Sequence, residues 1–311
     1  MKLERIILDT DIGFDADDAL ALGFLLRSPD VKIEAVTTVY EFTELKKEIA
    51  KAIIAMSGSA HVDVYCGIDY RHPSDSSVGV VIPPEVIAHM KHPDSHEGRG
   101  LFSEDTIRTL KSTPPSDFAP ERMRDIILSS PGEISIIAIG PMSNLGAMIS
   151  LYPETVPCIK HIYAMSGMID PARLNRTNAE YNIRADPAAA KRVYECGAPL
   201  TILPTDTTRT VWLQPEETAL LSGGDTLCRT LANLSRIWEE SNAGRTYMHD
   251  TLTAAYPLLG GMFTSRPHSA SIDACTGHMK LWPDPASHID VCLSVERKLF
   301  MDEFFARLGV R

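Results

Sequence analysis

Arg5-Ile6-Ile7-Leu8-Asp9-Thr10-Asp11-Ile12-Gly13-Phe14-Asp15-Ala16-Asp17-Asp18-Ala19-Leu20-Ala21-Leu22 is the stretch on which the fold turns. A short β-branched run breaks into five carboxylates within ten residues, and an apolar helical period follows at once. The pattern reads as strand Arg5–Leu8, a loop, and a helix over Ala19–Arg27. Working outward, Lys32–Tyr40 reads as a second strand and Leu45–Met56 as a helix. Ile134–Ile139, Ile162–Met165 and Leu200–Leu203 read as further strands, with helices starting near Pro141, Asp186 and Pro215. Strands alternating with helices predict an α/β fold, a single domain over residues 1–311 with a doubly wound, mostly parallel central sheet. The Pro-, Ser-, His- and Asp-rich stretch from about residue 71 to 120 reads as an excursion over the strand ends.

In such sheets ligands bind beyond the carboxyl ends of the strands, so the residues directly after each strand deserve scrutiny. Asp9, Asp11, Asp15, Asp17 and Asp18 crowd one such end, where uncompensated carboxylates repel. A helix N-cap accounts for Asp17 or Asp18 alone but not for all five. Hard oxygen donors beside a glycine that permits a tight turn suit a divalent cation, and calcium accepts about six to eight oxygens. Far downstream, Tyr247-Met248-His249-Asp250 opens the apolar run Thr251 to Leu259 and offers another carboxylate beside a histidine; a capped helix with a surface histidine is the plainer account. Asn175-Arg176-Thr177-Asn178-Ala179-Glu180-Tyr181-Asn182 can be a polar loop, or amide and carboxylate groups that hold sugar hydroxyls.

Composition bounds the partners. With 44% hydrophobic and 23% charged residues this is an ordinary globular chain, and a net charge of -11 argues against a nucleic-acid groove. No apolar run approaches the roughly 18 to 20 residues that span a bilayer, and the first residues enter a strand without a signal-peptide pattern, so a cytoplasmic protein with no membrane partner is expected. Cys66, Cys158, Cys196, Cys228, Cys275 and Cys292 are scattered without a C-x-x-C pair, which predicts reduced thiols and no zinc site.

Taken in order, these motifs resemble the inosine-uridine-preferring nucleoside hydrolase family over nearly the whole chain. Its opening Asp-x-Asp-x-Gly-x-Asp-Asp signature is similar to Asp9–Asp18, its Gly-Pro-Leu-Thr-Asn element to Gly140-Pro141-Met142-Ser143-Asn144, and its Glu-x-Asn-x-x-x-Asp-Pro element to Glu180-Tyr181-Asn182 with Asp186-Pro187. The His249-Asp250 pair matches as well. The resemblance implies Ca2+-dependent hydrolysis of the N-glycosidic bond of a ribonucleoside, in a homo-oligomer (dimer or tetramer). It implies that Asp11 touches the metal and serves as general base, and that Asp18, Asp250 and the main-chain carbonyl of Ile139 complete the metal site. It further implies that Asp17, Asn175, Glu180 and Asn182 contact the sugar, and that His249 protonates the leaving base.

The chain departs from the family pattern at three places. Two extra residues separate Gly13 from Asp17-Asp18, so Asp15 competes for their roles. Thr37-Thr38-Val39-Tyr40-Glu41-Phe42 stands where the family has Thr-Thr-Val-x-Gly-Asn, and the segment before Glu180 is one residue shorter, so the match at Asn175 depends on a gap. Two other readings stay open. Ile7-Leu8-Asp9-Thr10-Asp11 also resembles the strand and Asp-x-Asp of haloacid-dehalogenase-type phosphatases, in which Asp9 is the nucleophile. A nucleoside- or sugar-binding protein that has lost turnover is motivated by Glu41-Phe42.

Overall fold

The computed structural model describes residues 3–13, 15–59, 62–69, 97–170, 179–241 and 245–310. Its strands are β1 (Glu4–Thr10), β2 (Val31–Thr38), β3 (Val64–Cys66), β4 (Ile134–Ala138), β5 (Ile159–Met165), β6 (Leu200–Leu203), β7 (Phe263–Ile272), β8 (Met279–Pro283) and β9 (Ile289–Val295). The helices in the first half are α1 (Asp17–Leu26), α2 (Thr43–Ser57), α3 (Glu104–Ser112), α4 (Ala119–Ser129) and α5 (Ser143–Leu151). In the second half follow α6 (Tyr181–Ala185), α7 (Pro187–Glu195), α8 (Thr205–Thr208), α9 (Pro215–Ser222), α10 (Thr226–Ser241), α11 (His249–Leu259) and α12 (Arg297–Leu308).

The strands form one sheet in the order β3-β2-β1-β4-β5-β6-β9-β7-β8. Every pairing from β3 to β9 is parallel, whereas β7 pairs antiparallel with both β9 and β8. Strand order reverses between β1 and β4, which makes their carboxyl ends the topological switch point where a ligand crevice forms. Helices cover both faces, so the central strands need apolar residues without alternation. Ile6, Ile7 and Leu8 of β1 and Ile134, Ile136, Ile137 and Ala138 of β4 are buried accordingly. On one face Leu20 and Phe24 of α1, Ile49 of α2, Leu231 of α10, Leu252 of α11 and Phe304 of α12 share a core. On the other face Met123 and Ile127 of α4, Met148 of α5 and Val193 of α7 share a second.

The doubly wound, mostly parallel sheet agrees with the sequence reading. The antiparallel β7–β9 extension carries no motif that the reading used. One boundary is corrected: β2 ends at Thr38, short of the expected Tyr40. Tyr40, Glu41 and Phe42 take positive φ values of 62°, 36° and 54°, a left-handed turn that breaks the strand and swings the chain into α2. The excursion expected over residues 71 to 120 falls partly outside the described residues; its later part holds α3 and the start of α4.

Asn144 ties three strand ends together beneath the crevice. Its amide nitrogen donates to Asp9 Oδ1 at 2.7 Å and to the Thr38 carbonyl at 3.1 Å, while its oxygen accepts from Ile68 N–H at 2.9 Å. A Cβ at Gly67 would stand 2.2 Å from the Asn144 oxygen, so only glycine lets this amide seat.

Candidate active site

The crevice at the switch point is lined by Asp11, Asp15, Asp17 and Asp18 from the loop after β1 and the first turn of α1, and by Ile139 just beyond β4. Met165 ends β5, Glu180, Tyr181 and Asn182 come from the start of α6, and Thr205, His249 and Asp250 from the starts of α8 and α11. Each group leaves a strand end or a helix N-terminus, where the backbone changes direction and a side chain can be aimed at one point. Asp17 and Asp18 occupy the first turn of α1 and Asp250 that of α11, so two helix dipoles offset part of their negative charge. Gly140 makes the close approach possible, since a Cβ there would meet Asp11 Oδ1 at 2.8 Å.

Asp15, Asp17, Asp18 and Asp250 each offer an oxygen within 4.8 Å of the others. Asp17 and Asp250 are fewer than one-tenth exposed, and Asp17 Oδ1 has no hydrogen-bond partner among the described residues. Thr10 Oγ1 donates to Asp18 and accepts from Ile12 N–H at 3.1 Å. Burial pushes Asp11 up to about 7 and Asp17 up to about 6, and raises Asp15, Asp18 and Asp250 well above the usual carboxylate range; neighbouring carboxylates add to each. Carboxylates this close in a poorly solvated place need shared protons or a cation between them. The orphaned Asp17 oxygen and the all-oxygen donor set fit a hard divalent ion and do not suggest a thiolate-binding metal.

The expected site residues gather here with two qualifications. Asp11, Asp18, Ile139, Asp250, Asp17, Glu180, Asn182 and His249 all line the crevice, whereas Asn175 lies outside the described residues. Asp15 joins the tightest carboxylate group, which does not include Asp11. Glu180 has structural work that the sequence did not reveal: Oε1 accepts from Asn182 N–H at 2.9 Å, and Oε2 from Ile183 N–H at 3.1 Å and Gly167 N–H at 3.2 Å. Asn182 Nδ2 donates to the carbonyls of Ile139 at 3.2 Å and Met165 at 3.1 Å, locking the ends of β4 and β5 together.

Asp9, the nucleophile of the phosphatase reading, is fully buried and does not line the crevice. Its Oδ1 accepts from Thr37 Oγ1 at 2.6 Å and from Asn144, so it organises strand ends and has no path to a substrate. Two residues escaped the sequence reading. Tyr40 lies edge-on to Tyr181 with ring centroids 6.0 Å apart, beside the crevice. Lys46, fully buried, donates from Nζ to the Asp11 carbonyl at 2.7 Å. A signal for it existed, because Lys46 falls on the same helical stripe as Ile49, Ala50 and Ile53.

The family model of inosine-uridine preferring nucleoside hydrolases matches residues 6–302. The non-specific ribonucleoside hydrolase RihC of Escherichia coli is 27% identical over 273 residues, spanning 86% of this chain and 83% of the relative. The probable uridine nucleosidase 2 of Arabidopsis thaliana is 26% identical over 275 residues, spanning 84% and 79%. Among solved structures, the purine-preferring ribonucleoside hydrolase from Gardnerella vaginalis superposes with a TM-score of 0.77 over 98% of both chains at 24% identity, which shows the shared fold.

Proposed function

This chain belongs to the inosine-uridine preferring nucleoside hydrolase family, and from that premise we propose that it cleaves the N-glycosidic bond of ribonucleosides with a calcium ion, releasing free base and ribose. The observation that carries the reading is convergence: His249 and Asp250, far from the opening motif in sequence, line the same crevice as Asp11, Asp17 and Asp18. Asp11, Asp18, Asp250 and the Ile139 carbonyl are the residues we assign to the ion, with Asp15 as a further carboxylate donor. Bound there, the ion supplies Lewis acidity toward water and an anchor for vicinal ribose hydroxyls.

The residues of the chain do the rest. Asp11, at the carboxyl end of β1 and lining the crevice, accepts a proton from the attacking water. Asp17, Glu180 and Asn182 hold the ribose, which spends binding energy on orientation at the anomeric carbon. His249 gives a proton to the departing base. Water attacks directly, so no covalent glycosyl intermediate is needed. The relatives' names span non-specific, uridine and purine-preferring enzymes, so base preference does not transfer to this chain.

The test is release of free base from a panel of purine and pyrimidine ribonucleosides, run with calcium and with excess chelator. Release that depends on calcium and disappears in Asp11→Ala is expected. Chelator-insensitive release, or an Asp11→Ala variant as active as the parent, would sink the reading, and binding without release would leave a nucleoside-binding protein.

A further inference from the structure

Helix α2 carries a charge on its buried face. Lys46 is 1% exposed and shares its stripe with Ile49, Ala50 and Ile53. Removing an ammonium from water costs several kcal/mol unless opposite charge lies close by, so its position requires an explanation. One donor goes to the Asp11 carbonyl at 2.7 Å, and among the described residues Lys46 forms no ion pair. Nor does it line the crevice, so it is placed to act on the carboxylates through space and through the Asp11 backbone.

We propose that Lys46 is an internal counter-charge, which holds the carboxylate crevice assembled before a divalent cation enters and weakens the crevice's hold on that cation. The inference rests on the reading of the crevice as a cation site. Its physical basis is that the field of a fixed charge in a poorly solvated place is little screened, so one cation beneath the carboxylates does part of the work of another among them. A metal-free crevice with this lysine carries one less uncompensated charge, and an entering ion meets a repulsion that a neutral residue would not impose. Lys46 is a positioning residue in this role, with no contact to substrate.

Lys46→Gln keeps a donor for the Asp11 carbonyl and removes the charge, whereas Lys46→Met removes both. The intact chain, stripped with chelator and titrated with calcium chloride by calorimetry, gives the dissociation constant. Both variants should bind calcium about ten- to a hundredfold more tightly than the parent, and both should melt lower than the parent in chelator, with the gap narrowing in calcium. Equal or weaker calcium binding by Lys46→Gln overturns the proposal and leaves Lys46 as a clamp on the Asp11 carbonyl. Absence of calcium binding by the parent fails the cation-site reading itself and takes this inference with it. Should the variants not fold, the parent decides: its near-ultraviolet circular dichroism must stay native after stripping, and collapse of that signal refutes pre-assembly.

Discussion

The Thr208 hydroxyl on α8 stands 2.6 Å from Nδ1 of His249 at the start of α11. The same hydroxyl lies 3.3 Å from the Pro204 carbonyl, to which it can donate while accepting from Nδ1–H, and that is the tautomer a proton-donating ring requires. The proton given to a leaving base is then the one on Nε2. His249→Ala should therefore slow turnover of natural nucleosides by about a hundredfold or more and hardly touch a nitrophenyl riboside, whose leaving group needs no proton. Thr208→Val, which spares the ring but releases it, should cost roughly tenfold on the natural substrate. Steady-state kinetics on both substrates decides; a uniform loss on the two would reduce His249 to a wall of the crevice.

Removing the metal should reverse the usual effect of pH on stability. Burial holds Asp11 up to about 7 and Asp17 up to about 6, against 3.8 in the unfolded chain. These groups bind protons more tightly when folded, so their contribution to stability is greatest at low pH and falls as pH rises from about 4 to about 7. Asp30, which Arg307 holds below its ordinary value despite burial, loses its contribution only at lower pH, outside that window. In chelator the melting temperature should drop between about pH 4 and pH 7, and calcium should abolish the drop by replacing the protons. Calorimetric scans in both buffers test this; a stripped protein that gains stability over the window contradicts it.

Glu180→Gln should damage folding as well as sugar binding. Both carboxylate oxygens accept main-chain N–H groups, from Asn182, Ile183 and Gly167, and a glutamine must turn an NH2 toward at least one of them. Leaving one buried donor facing another costs about 1 to 3 kcal/mol. Chemical denaturation should register that loss, and KM should rise more than kcat falls. An unchanged unfolding midpoint would mean that Glu180 does not hold the Gly167 turn.

The left-handed turn after β2 is a place where the chain can be stabilised. Glu41 sits at φ 36°, between Tyr40 and Phe42 at 62° and 54°, and its carboxyl is raised by burial and by Glu97. A non-glycine residue in this region costs roughly 1 to 2 kcal/mol. Glu41→Gly should recover about 1 kcal/mol, read as a higher unfolding midpoint, with activity retained. A lower midpoint would show that the Glu41 side chain is worth more than the strain it carries.

Local pattern was enough to read the parallel sheet and the opening motif. Ile6, Ile7 and Leu8 are buried because a central strand under two helical layers needs apolar residues on both faces, and that requirement is written residue by residue. The crowding of Asp11, Asp15, Asp17 and Asp18 is equally local, since all leave one strand end, and the resemblance of the motif order carried the family. What the tertiary structure alone decided depends on which strand ends become neighbours. With β1 beside β4 and β4 beside β5, Asp9 is sealed under Thr37 and Asn144, and Asn182 reaches the carbonyls of Ile139 and Met165. Lys46 shows the division most clearly. Its place on an apolar stripe is legible from helical spacing, but that the stripe lies against the Asp11 backbone follows only from how α2 packs on the sheet, because the energy of a buried charge is set by neighbours distant in sequence.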